Sequence, residues 1–168
     1  SYLFKKFKSK VIELKETNFK NFFKLKVNKK QIGSDRLANA ISVCQNNKNY
    51  IILDFGTATT FDVVVKKDYL GGIIAPGVNL SLQTLITNAS LISNVNLSKI
   101  KSVIGKNTSS AVKSGFYWGY AGLIDSLINL ITKDTKKKYN IILTGGLAHL
   151  FKSSIKVRST VDKDLTIK

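Results

Sequence analysis

The sequence predicts a mixed α/β sheet with flanking helices, and three observations carry that prediction. Apolar runs of strand length at 50–54, 60–66 and 69–74 follow one another closely enough to form a hairpin group. Helical patterns at 79–89 and 107–132 come next. A buried strand, Ile141-Ile142-Leu143-Thr144, then runs into Gly145-Gly146 and a short helix at 147–152.

The elements can be justified in chain order. Residues 3–8 carry a short helical pattern, 11–14 alternate like a strand, and 17–32 read as irregular and basic. A helix over 34–47 puts Leu37, Ala40, Ile41 and Cys44 on one stripe, with Ser34 or Asp35 as its N-cap. After the three strands, Ala75-Pro76-Gly77 marks a turn, because proline presets φ and glycine is free to take φ > 0. Asn107 or Thr108 caps the long helix. Gly115, Gly119 and Gly122 thin that helix at spacings of four and three, so another element is expected to pack against it. A weak strand near 155–161 closes the pattern, and no repeat, low-complexity tract or linker interrupts it.

At 168 residues and 43% hydrophobic, the chain can bury a real core. No run approaches the length of a membrane-spanning helix. The opening SYLFKKFKSKVIELK mixes charges with apolar residues and lacks the separate apolar region of a signal peptide. The lone cysteine, Cys44, forms no internal disulfide and reads as a small buried hydrophobe. These features predict a cytoplasmic protein with no membrane partner. The chain opens on Ser1 and contains no methionine, so the expectation is a fragment of a longer product.

The net charge of +17 invites a nucleic-acid reading, yet only Arg36 and Arg158 among the 27 basic residues are arginine. The lysines are scattered, with clusters at 5–10 and 136–138 and no aromatic interleaving that would stack bases. No specific nucleic-acid partner is expected. A positive field of this kind also draws in small anionic substrates.

Four loops could carry chemistry. In Asp54-Phe55-Gly56-Thr57-Ala58-Thr59-Thr60, backbone N–H groups of a glycine-containing hairpin can converge on an anion, and the threonines add hydroxyl donors. Asp54 suits a cation beside phosphates rather than a phosphate itself. The competing reading is a plain hairpin of β-favouring threonines. Thr144-Gly145-Gly146 offers free N–H groups and room for a phosphate or flat ring, or else only a glycine corner. His149, the single histidine, is given no role. In Gly33-Ser34-Asp35-Arg36, Asp35 is either a cap or a carboxylate held ionised at a helix N-terminus, able to take a proton from an attacking hydroxyl. Arg36 could fix an anionic substrate group or pair with an acid. Thr108 offers a further hydroxyl. With no GxxxxGK[ST] loop, no metal-spaced Cys/His cluster and one histidine, phosphate handling is the best-supported chemistry.

In order, IGSDRLANA (32–40), ILDFGTATTFDVV (52–64), YLGGIIAPGVNLSLQTL (69–85), VIGKNTSSAVKSGFYWGYAGL (103–123) and ILTGGLA (142–148) resemble the type III pantothenate kinases. The resemblance implies a sugar-kinase/actin-type protein of two ribonuclease-H-like domains with ATP in the cleft between them. It implies phosphorylation of pantothenate to 4′-phosphopantothenate, the first step of coenzyme A synthesis. It also implies Mg2+ with the ATP, a monovalent cation (K+ or NH4+) and a homodimer. Residue by residue, Asp35 matches the general base, and Gly33, Ser34, Asp35, Arg36 and Thr108 match pantothenate contacts. Asp54 matches the monovalent-cation ligand, Gly56 and Thr57 the ATP-phosphate loop, and Gly145 and Gly146 the adenosine-side loop.

There are departures. Ser34 stands where the family usually has alanine, and a pocket tyrosine is replaced near Val27. The opening strand and Asp-x-Gly-Asn-Thr phosphate loop of the family are missing, and the tail stops before its final helix. On this reading residues 1–31 are a remnant of the first domain and 32–168 the second domain. Phosphoryl transfer needs the nucleotide clamped from both sides, so the isolated chain is expected to be inactive. The alternative is a non-catalytic phosphate- or nucleotide-binding relative, or regulator, of the same fold.

Overall fold

In the computed structural model, residues 14–18, 23–45, 47–92 and 95–167 are described. The helix expected over 3–8 lies outside them, as does the strand over 11–14 apart from Leu14, which begins a 3-10 turn, Leu14–Glu16.

Short apolar runs, the central ones buried on both faces, build a six-stranded sheet among the described residues. Its strands are β1 (Lys24–Leu25), β2 (Asn49–Phe55), β3 (Ala58–Val65), β4 (Asp68–Pro76), β5 (Asn140–Gly145) and β6 (Ser159–Val161). The spatial order is β1-β4-β3-β2-β5-β6. β3 is antiparallel to both neighbours, and every other pairing is parallel. The run β4-β3-β2-β5-β6, with β3 alone reversed, is the ribonuclease-H-like arrangement. β1 falls in a stretch read from sequence as irregular. At two residues it is too short to show alternation, and it exists because it pairs with β4 at the sheet edge.

Among the described residues, four α-helices flank the sheet: α1 (Ser34–Cys44), α2 (Val78–Asn88), α3 (Thr108–Thr135) and α4 (Ala148–Lys152). Because strand side chains alternate faces, Tyr50, Ile52, Val64 and Tyr69 go to one side, where Leu37, Ala40, Val43 and Cys44 of α1 cover them. Ile51, Leu53, Phe55, Phe61 and Val63 go to the other, under Tyr117, Ile124, Ile128 and Ile131 of α3 and Phe151 of α4. The ring of Phe151 stacks on Phe55 at 5.3 Å and on Tyr117 at 5.9 Å.

Several details depart from the sequence reading. α1 ends at Cys44 rather than 47, and β6 spans only Ser159–Val161. Gly77 is the N-cap of α2 at φ −72°, not a positive-φ turn residue. Its lack of a side chain matters for another reason: a Cβ there would collide with the Thr57 carbonyl. Asn107 does cap α3, in a capping box with Ser110. A Cβ added at Gly115, Gly119 or Gly122 would meet nothing within 4 Å. Among the described residues, no element packs against these glycines.

The β3–β4 pairing carries one irregularity that matters for the site. Asp62 pairs with Gly72 and Val63 with Gly71, but Val64 pairs with Tyr69, so Leu70 is bulged out of register. Gly71 takes φ +120° at that point, where a side chain would be strained. Strict alternation from Gly72 would send Leu70 to the α1 face. The bulge sends Tyr69 there instead.

Candidate functional site

The strand register gathers polar residues at one end of the α1 face. Asp54 stands opposite Thr60 on one side and Thr144 on the other, at the C-terminal ends of the parallel strands β2 and β5. Crevices at such strand ends are where open α/β sheets bind ligands. Two residues further along β3, on the same face, comes Asp62.

α1 enters from above this cluster. Its N-cap is Gly33, with no side-chain cap bond, so neither Ser34 nor Asp35 serves as the cap that the sequence suggested. Asp35 is exposed in the first turn, and its carboxylate folds back to where a Cβ on Gly33 would sit. Glycine at 33 therefore leaves that carboxylate its place, at a helix end that favours negative charge. Asp35 is close enough to act electrostatically on Arg36, Asp54, Asp62 and Tyr69.

Asp54 is half-buried. Burial raises its carboxyl above the ordinary value, the Asn39 amide opposes this, and Asp35 adds to it. Asn39, fully buried, donates from Nδ2 to Asp54 Oδ2 at 3.1 Å and accepts from the Thr166 hydroxyl at 2.7 Å. The other carboxylate oxygen faces Gly145, where a Cβ would come within 2.5 Å of Asp54 Oδ1. Gly145 also holds φ +83°. Gly146 has neither constraint, since nothing lies within 4 Å of its Cβ position. The two glycines thus do different work: the first admits Asp54 to the β5 corner, and the second is exposed.

The hairpin tip is Gly56-Thr57. Of its three threonines only Thr57 is exposed. Thr59 and Thr60 are buried in β3, and their hydroxyls have no partner among the described residues. The expectation that all three present hydroxyls outward is corrected to Thr57 alone. Gly56 needs no special conformation, its Cβ position meeting the Ala58 carbonyl at 3.7 Å.

Arg36 is turned inward. Nε donates to Asp62 Oδ1 at 2.8 Å, Nη2 lies 2.7 Å from the same oxygen, and Nη2 also donates to the Tyr69 hydroxyl at 2.9 Å. Burial works against the guanidinium charge, but Asp62, with smaller help from Tyr69 and Asp35, outweighs it and raises the Arg36 pKa. Burial likewise pushes the Asp62 carboxyl up, with Tyr69 and Arg36 pulling it back. The acid that Arg36 pairs with is therefore a fully buried one.

Thr108 is the outlier. It is exposed on the first turn of α3, and α3 packs on the sheet face opposite α1. Among the described residues, nothing joins it to Asp35 or Asp54. Asn39, Asp62 and Tyr69, in contrast, belong to the polar cluster and were missed from sequence. A lone acid inside the apolar run Thr60-Phe61-Asp62-Val63-Val64-Val65 was the available signal.

Residues 1–130 match the family described as type III pantothenate kinase. The type III pantothenate kinase of Pelagibacter ubique (strain HTCC1062) is 61% identical over 166 residues, covering 98% of this chain and 67% of that protein. That of Jannaschia sp. (strain CCS1) is 44% identical over 138 residues, covering 81% of this chain and 53% of that protein. The chain thus spans 67% of the first relative's length and about half of the second's. A solved structure named as a Baf family transcriptional activator from Campylobacter jejuni superposes with a TM-score of 0.56 at 23% identity, covering 88% of this chain and 65% of that one. At that identity the likeness speaks to the fold alone. With the family model matched over residues 1–130 and a relative 61% identical over 98% of the chain, this chain belongs to the type III pantothenate kinase family.

Proposed function

We propose that the protein containing this chain transfers the γ-phosphoryl group of ATP to pantothenate, giving 4′-phosphopantothenate and ADP. The observation that carries this reading is Asp35: an exposed carboxylate at a helix N-terminus, free of any capping duty, beside the strand-end cluster of Asp54 and Gly145. Asp35 takes the hydroxyl proton of pantothenate as that oxygen bonds to the γ-phosphorus and the bond to ADP breaks. Gly33, Ser34 and Arg36 line the approach of the acid substrate, and Thr108 contributes from beyond the sheet. Gly56 and Thr57 at the hairpin tip, with Gly145 and Gly146, receive the nucleotide.

A monovalent cation, K+ or NH4+, is assigned to Asp54: one carboxylate oxygen is held by Asn39, and the other accepts no hydrogen bond among the described residues. Such a cation, and Mg2+ carried with ATP, would supply charge stabilisation for the phosphates. The working protein is proposed to be a cytoplasmic homodimer, which the exposed apolar groove between α2 and α3 (Leu85, Phe116, Tyr120, Leu123) supports. Residues 32–168 are proposed as the second of two ribonuclease-H-like domains. Since the chain spans 67% of one relative and 53% of another, activity is assigned to the longest native reading frame containing it, and these 168 residues alone are proposed to be inactive.

The test is ADP release by that longest frame, with and without pantothenate, in potassium and then in sodium. Release that requires pantothenate, is stronger in potassium and disappears in Asp35→Asn is expected. No pantothenate-dependent release would refute the reading.

A further inference from the structure

Asp62 and Tyr69 form a buried device around Arg36 that neither the sequence motifs nor the family comparison assigns. Asp62 is 0% exposed, Tyr69 1%, and the Arg36 side chain 13%. Three donors converge on one oxygen: Arg36 Nε at 2.8 Å, Arg36 Nη2 at 2.7 Å and the Tyr69 hydroxyl at 2.6 Å all reach Asp62 Oδ1. Tyr69 meanwhile accepts from Nη2, so the three side chains close a ring. Two features of β4 make room for this ring. The bulge at Leu70, with Gly71 at φ +120°, turns Tyr69 to the α1 face. Next to it, a Cβ on Gly72 would come within 2.6 Å of Arg36 Nη2 and collide with the Phe61 carbonyl, so only glycine leaves the guanidinium its seat.

A buried ion pair is a poor route to stability, because desolvation offsets most of the attraction. Geometry is the better explanation. Of the three guanidinium nitrogens, Nε and Nη2 are tied down and Nη1 is left without a partner among the described residues. Arg36 also follows Asp35 directly in the first turn of α1. We propose that Asp62 and Tyr69 are positioning residues: they fix Arg36, and through it the free Nη1 edge and the turn that carries Asp35. Burial and the Asp62 charge push the Tyr69 hydroxyl well above its usual range, so it remains a donor at all working pH values. The kinetic consequence rests on the pantothenate kinase reading, whereas the seating of Arg36 does not.

The test uses Tyr69→Phe, which keeps the ring and removes the hydroxyl, and Asp62→Asn, each in the longest native reading frame. Two readouts are taken: KM and kcat for pantothenate, and the exchange rate of the Arg36 Nε–H proton by NMR. Losing a hydrogen bond to a charged group is expected to raise KM about ten-fold in Tyr69→Phe, with kcat changed less and the melting temperature lowered by several degrees. Asp62→Asn is expected to be worse in both kinetics and exchange. In both variants the Arg36 Nε–H should exchange at least several-fold faster. Folded variants with unchanged KM and unchanged exchange would overturn the proposal. If the parent protein shows no pantothenate-dependent turnover, the kinase reading fails, and the exchange rates alone decide the seating: faster supports it, unchanged overturns it. Variants that only melt lower, with normal KM and exchange, would make the ring a stability element and overturn the positioning role.

Discussion

Gly145→Ala is the substitution that probes the site's architecture most directly. Gly145 sits at φ +83°, where an alanine side chain strains the backbone by about 1–2 kcal/mol. Its Cβ would lie 2.5 Å from Asp54 Oδ1, 2.7 Å from the Phe55 nitrogen and 2.8 Å from the Phe55 carbonyl carbon. The carboxylate could swing away, but the Phe55 backbone is held by pairing on both sides and cannot. Overpacking of this kind costs about 1–3 kcal/mol. The sum, about 2–5 kcal/mol, corresponds to a melting temperature lowered by roughly 4–20 °C at about 2–4 °C per kcal/mol. Gly146→Ala provides the control. Its neighbour-free Cβ position and ordinary φ predict a change within about 0.5 kcal/mol. The assay is thermal unfolding followed by circular dichroism, at matched protein concentrations, with urea melts to check the slope. If Gly145→Ala melts within about 2 °C of the parent, or Gly146→Ala falls as far, the close packing of the β5 corner on Asp54 is wrong.

Four further outcomes follow from other parts of the fold. Asn107→Ala removes the acceptor for the Ser110 amide, held at 2.9 Å, and should cost about 1 kcal/mol in urea denaturation. Gly122→Ala, on an open helix surface, should stabilise by about 0.5–1 kcal/mol, and a loss instead would show that another subunit packs there. The Cys44 thiol, buried against the sheet, should react with a thiol reagent far more slowly in the native state than in denaturant. Burial also raises its pKa above 9.0, so the proton stays on longer in the folded state. That contribution is complete below 9.0 and is lost as pH rises through the folded value. Cys44→Ala should therefore lose less stability than the parent between pH 9.0 and strongly alkaline pH.

Residues that obey a simple period were legible, and those that obey a distant partner were not. The apolar runs between Asn49 and Val65 announced β2 and β3, and the polar insertion between them marked the hairpin. Those runs could not say which hydroxyls stay outside: Thr59 and Thr60 are pulled into the sheet because pairing resumes at Ala58. Asp35 and Asp54 could be singled out because each stands at the end of an element. Asp62 could not, because the partner that accounts for its burial, Arg36, is 26 positions earlier. Tyr69 was hidden for a subtler reason. Its side depends on one bulged residue, and nothing in Tyr-Leu-Gly-Gly fixes where the register slips. Asn39 likewise reads as one polar residue on a helix until Asp54 and Thr166 are placed around it.

The pairing of β2 with β5 has a consequence for how the chain is made. β2, β3 and β4 are joined by short turns and can zip together as soon as they leave the ribosome. The partner of Asp54 on the other side, Thr144, emerges 90 residues later, after α2 and the whole of α3. Until then β2 presents an unpaired edge, and the corner that Gly145 closes over Asp54 does not exist. A nascent chain arrested before β5 therefore holds a finished hairpin group with an open flank, which is the state most exposed to pairing with the wrong strand.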